Sequence, residues 1–94
     1  MAQTIILAPG SSAATSTDIV VPAGDVVTVG IYTAIAAVAP TGARFSVMQG
    51  TPGADNVLAS LNNYSRTTAL VGPGTYRVTR PAYAGTGFGV FTEA

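Results

Sequence analysis

Short β-branched runs, broken about every ten residues by clusters of Gly, Pro, Asn and Ser, constrain this chain more than any other feature. Residues 4–8 read as a first strand, stopped by Pro9-Gly10. Residues 15–21 alternate, with Thr17, Ile19 and Val21 on one side and Ser16, Asp18 and Val20 on the other. Pro22-Ala23-Gly24-Asp25 has the make-up of a type II turn. Strands 15–21 and 26–33 are therefore expected to form a hairpin. Residues 34–39 are ambiguous: alanine favours helix, but the stretch is short and Pro40 ends it. It reads as a strand end or a single turn, followed by a loop over Pro40-Thr41-Gly42.

Further strands are expected over 43–49, 56–61, 67–71, 75–80 and 86–92. In the first of these, Phe45 and Val47 oppose Arg44, Ser46 and Met48. In 75–80, Tyr76 and Val78 oppose Thr75, Arg77 and Thr79. Gly72-Pro73-Gly74 reads as a tight turn, with Pro73 fixing φ and Gly74 supplying a positive φ. About eight short strands without a clear helix predict an all-β fold. The expected architecture is a single antiparallel β-sandwich or barrel, jelly-roll or immunoglobulin-like. The 94 residues make one domain, 1–94, with 1–14 an extended N-terminal strand or arm.

The composition removes most chemistry. The chain has no His, Cys, Lys or Trp. The commonest general base, the most reactive nucleophile and Schiff-base lysines are thereby excluded, and an enzyme is not expected. Asp18 and Asp25 flank one turn and could approach each other as a carboxylate pair. Each equally suits a solvent-facing strand or turn position. Transition-metal ligands are missing, and the aspartates share no calcium-loop pattern, so no metal or cofactor is expected. The Asn63-Tyr64-Ser65 sequon carries meaning only in a secreted eukaryotic protein.

Charge is scarce. Charged residues make up 9% of the chain and the net charge is zero, against a usual charged share of about 25%. There is no field to attract nucleic acid or anionic lipid, and neither is expected as a partner. Either Thr, Ser and Asn keep the surface wet, or much of that surface is covered in an assembly. The start of the chain lacks a basic segment, and its apolar run is too short for a signal peptide. No apolar stretch reaches membrane-spanning length, so a soluble protein is expected. Gly85, Gly87 and Gly89 fall on alternate positions and clear one strand face. Either a neighbouring part of the chain packs over that face, or a partner's backbone approaches it.

The segment Leu70-Val71-Gly72-Pro73-Gly74-Thr75-Tyr76-Arg77-Val78-Thr79-Arg80-Pro81, followed by a Gly-rich strand, resembles small virion proteins of tailed bacteriophages. Asp18-Ile19-Val20-Val21-Pro22-Ala23-Gly24 and Val26-Val27-Thr28-Val29 are similar to the first hairpin of such proteins. The likeness covers roughly residues 15–92 and is carried by structural motifs. It implies a capsid decoration (cement) protein on the virion surface, with the major capsid protein and further copies of the chain as partners. A head-fibre or tail-associated module, for which a trimer is one form, is the near alternative. A carbohydrate-binding sandwich is a more distant one, resting on Tyr32, Tyr64, Tyr76 and Tyr83. For the decoration role the expected contact residues are Gln3, Ile5 and Leu7 of the N-terminal strand, with Tyr76, Arg77, Arg80 and Tyr83. Arg77 alternatively pairs with a local acid such as Asp55 or Glu93.

Overall fold

In the computed structural model, which describes residues 3–33, 42–51 and 54–94, the alternation resolves into nine strands. They are β1 (Gln3–Gly10), β2 (Ala14–Thr15), β3 (Ile19–Val21), β4 (Val26–Tyr32), β5 (Phe45–Thr51), β6 (Ala54–Leu61), β7 (Thr67–Val71), β8 (Gly74–Arg80) and β9 (Phe88–Glu93). The ambiguous stretch 34–39 lies outside the described residues, as do Pro40, Thr41, Pro52 and Gly53.

The strands form two sheets, antiparallel throughout. The first has the order β1-β9-β4-β7. The second has the order β2-β8-β5-β6, with β3 also paired to β8. β2 and β3 act as one interrupted strand. Thr15 lies opposite Thr79 and Ile19 opposite Tyr76, so three residues face two across the break. Buried Ser16 fills the gap: its N–H donates to the Val78 carbonyl, and its hydroxyl accepts from the Val78 N–H at 3.0 Å. With that strand counted once, the two four-stranded orders are those of a jelly roll, one of the two sandwich types expected.

The core follows from period two. Val29, Ile31, Leu70, Phe88 and Val90 of the first sheet meet Ile19, Val21, Phe45, Val47, Leu61, Tyr76 and Val78 of the second. Phe45 and Phe88 are the largest wholly buried side chains, each contributing about 1.5–3 kcal/mol by its burial. The face assignments made for β5 and β8 hold.

Three expectations change. Strands 15–21 and 26–33 do not form a hairpin: β3 pairs with β8, and β4 lies in the other sheet. Val21 and Val29 both point into the core, so the turn between β3 and β4 must arch from one sheet to the other. The turn itself is as expected: Gly24 has φ of 85°, and the Asp25 N–H donates to the Pro22 carbonyl at 3.2 Å. Secondly, Gly72-Pro73-Gly74 does not use a positive φ at Gly74, which is the first residue of β8; the Gly72–Pro73 peptide is cis. Thirdly, β1 does not stop before Pro9. As an edge strand it carries register shifts between Ile5 and Leu7 and between Leu7 and Gly10, which accommodate the proline.

The β7–β8 turn also crosses between sheets, and it nests against the β3–β4 turn. The Gly72 N–H donates to the Asp25 carbonyl at 3.0 Å, and a Cβ at Gly72 would collide with the Pro22 carbonyl. Around Gly24 there is open space. Gly24→Ala therefore carries only the backbone penalty, about 1–2 kcal/mol. Gly72→Ala must displace a packed backbone and is expected to cost about 3 kcal/mol or more. Urea denaturation of the two variants measures the difference; equal losses would contradict the nested-turn packing.

Candidate functional site

The outward face of the first sheet gathers the least expected side chains. Register places Val26 beside Val71, and sets out rows Gln3–Glu93–Thr28–Ala69 and Ile5–Phe91–Gly30–Thr67, with Tyr32 beside Gly89. Ile5, Val26 and Val71 are each more than half exposed. Glu93 is the single charged strand residue on this face among the described residues, and Gln3 Nε2 donates to its Oε2 at 3.3 Å.

Two aromatic–glycine pairs shape this surface. The Phe91 ring lies where a Cβ of Gly30 would stand, at 2.7 Å, and the Tyr32 ring approaches the corresponding position of Gly89 at 2.9 Å. Each ring thus lies over a glycine of the neighbouring strand. The rings meet edge to face, with centroids 6.2 Å apart and planes at 78°. Gln3, Ile5, Tyr32 and Phe91 enclose a shallow cavity of about 340 Å³. Beside it, among the described residues β1 has a sheet neighbour only on the β9 side, which leaves its other edge over Gln3–Ile5 without a described partner strand.

The seven expected contact residues divide. Gln3 and Ile5 sit on this face and edge. Leu7 does not: past the first register shift it faces Val90 and packs on the core. Tyr76 is 5% exposed, and its hydroxyl donates to the Val71 carbonyl at 2.6 Å. The Tyr83 hydroxyl contacts the carbonyls of Thr86 (2.8 Å) and Gly10 (3.2 Å) and accepts from the Phe88 N–H. Arg77 pairs with a local acid, as one reading held; among the described side chains that acid is Asp18, at 3.4 Å. Glu93 instead takes Gln3, and the Asp55 side chain lies outside the described residues.

Arg80 is buried at 5% exposure and serves the interior. Its Nε donates to the Ser12 carbonyl at 2.7 Å. Its Nη1 donates to the carbonyls of Ala8 and Phe88 at 2.8 and 2.9 Å. Period two in β8 already puts Arg80 on the side of Tyr76 and Val78, and that parity was the signal for burial.

The glycine-cleared face is filled from within. At Gly87 a Cβ would meet the Gly10 backbone at 2.8 Å, and at Gly89 it would collide with the Leu7 carbonyl. The end of β1 therefore covers the site where a partner's backbone was one alternative. Gly85 lies outside β9, with φ of 122°. Sequence reasoning missed Phe91, Val26 and Val71, although even positions 26–32 and odd positions 67–71 mark the outward rows.

No protein family, curated protein or solved structure matches this chain.

The two arginines of β8 give opposite expectations. Arg80→Met leaves three backbone carbonyls without their donor and is expected to lower stability by about 3 kcal/mol or more. Arg80→Lys recovers only part, because an ammonium lacks the planar fork. Arg77→Ala removes a partly exposed ion pair with Asp18, a pair worth less than about 1 kcal/mol, and is expected to cost less than Arg80→Met. Chemical denaturation compares them, and similar losses at the two positions would contradict the internal role of Arg80.

Proposed function

We propose that this chain is a non-enzymatic virion structural protein, a capsid decoration (cement) protein of a tailed bacteriophage. It docks the outward face of the β1-β9-β4-β7 sheet, with the open edge of β1, on the major capsid lattice. The observation that carries this reading is that face: Ile5, Tyr32, Phe91, Val26, Ala69 and Val71 around a near-absence of charge. A surface of this make-up resembles the apolar centre of a protein interface more than a solvated sheet.

Two further features support the same reading. The segments 18–29 and 70–81 resemble small tailed-phage virion proteins, and the jelly roll is a fold found among viral capsid proteins, an argument by analogy. The chemistry of attachment is burial of apolar area, at about 25 cal/mol per Å², assisted by backbone pairing along β1. Many copies on a closed lattice turn modest single-site affinity into firm attachment. Absence of His, Cys and Lys fits a binding role rather than catalysis.

Purified protein is expected to bind capsids that lack it and to raise their melting temperature. The double variant Ile5→Arg/Val71→Arg, altered at two exposed positions, keeps its fold by circular dichroism and loses capsid affinity by about tenfold or more. Absence of binding by the unaltered protein, or undiminished binding by the variant, would sink the proposal.

A further inference from the structure

A second, chemically different cleft lies where β6 hands over to β7. Its lining is Arg44, Ser60, Asn62, Asn63 and Tyr64, and its volume is about 340 Å³. Of the four tyrosines in the chain, Tyr64 alone presents its ring openly, at 92% exposure. Tyr76 is buried, and Tyr32 and Tyr83 are half-buried against their own chain. From the described residues we infer that this cleft binds one neutral hexopyranose unit of a glycan.

The exposure of Tyr64 is built into the turn. Asn62 Oδ1 accepts from the N–H groups of Tyr64 (2.8 Å) and Ser65 (3.0 Å), and the Asn62 N–H donates to the Ser65 carbonyl at 2.8 Å. The side chain and backbone of Asn62 thus close the turn from both ends, and Tyr64 stands at its apex. With Asn62 Oδ1 committed to the turn, its Nδ2 remains a pair of donors. Asn63 adds an amide and Ser60 a hydroxyl. On the β5 side, the Arg44 backbone is fixed by a 2.9 Å hydrogen bond to the Gly42 carbonyl.

These groups suit a pyranose. A sugar ring has a C–H face, which an open aromatic ring receives, and a rim of hydroxyls, which amides and a hydroxyl bond in both directions. The volume sits at the small end of ligand sites, suited to one ring. A nucleotide strand would bring a row of phosphates, and Arg44 is the single cation in this lining, short of the basic groove such a strand needs. A protein partner needs a broad surface with an apolar centre, whereas every side chain beside Tyr64 in this cleft is polar.

The test is titration of the ¹⁵N-labelled full chain with cellobiose, lactose, maltose and chitobiose, preceded by a neutral glycan array. The expected result is saturable amide shifts confined to Arg44, Ser60 and 62–64 with at least one glycan. Tyr64→Ala weakens that binding by about tenfold or more, and Tyr64→Trp retains it. Tyr64 buries almost nothing, so the alanine variant keeps the spectrum of the core. The inference is overturned by an array and titrations with no saturable binding, or by shifts undiminished in Tyr64→Ala. It is equally overturned if Tyr64→Ala abolishes capsid binding while no glycan binds, which assigns the ring to a protein contact. Capsid binding through the other sheet face stands or falls separately.

Discussion

One buried guanidinium ties the two halves of this molecule together. Arg80 belongs to β8 in the second sheet, and its hydrogen bonds reach Phe88 on β9 and Ala8 on β1 in the first. Its third bond fixes Ser12, in the segment that carries the chain between the sheets. A sandwich core is otherwise non-directional; apolar side chains resist separation of the sheets but tolerate sliding. A planar fork with three carbonyls in fixed places sets one sheet relative to the other. Within the first sheet's side of the core, Arg66, just before β7, holds its guanidinium 5.1 Å from the centre of the Phe88 ring.

That tie matters because the topology is almost wholly non-local. β5 and β6 are the one pair of consecutive strands, among those described, that hydrogen-bond to each other. Elsewhere partners are distant in sequence, as Gln3 opposite Glu93 shows. The turns carry the chain across the sandwich instead of reversing it within a sheet. Close approaches such as Gly72 on Pro22, and Gly87 on Gly10, therefore join segments far apart in the chain. Folding of such a chain is expected to be slow, since loop closure precedes most of the contacts.

Strand positions and faces were legible because period two is a local property: Phe45, Val47, Tyr76 and Val78 declare the core by alternation alone. Partnering was not legible. Pro22-Ala23-Gly24-Asp25 specifies a turn, but the same turn serves a hairpin or an arch, and only the inward valines on both sides decide between them. Arg80 was misjudged by chemistry rather than pattern, since its parity pointed inward while its charge suggested the surface. The outward face escaped notice because it joins Ile5, Phe91 and Val71 from opposite ends of the chain. Tyr64 was visible as a residue, but its difference from the other tyrosines depends on burial alone.

The resulting molecule separates its tasks by location. Glycine and arginine chemistry closes the interior, one sheet face carries apolar groups outward, and a polar turn holds an open aromatic ring. The central functional claim is that the β1-β9-β4-β7 face meets a capsid. An electron-microscopy map of the native particle tests it most directly. The account predicts density for this chain on the outer shell, with Ile5, Phe91 and Val71 against the major capsid protein. A chain located on the tail, or seated on the shell with that face turned to solvent, would contradict it.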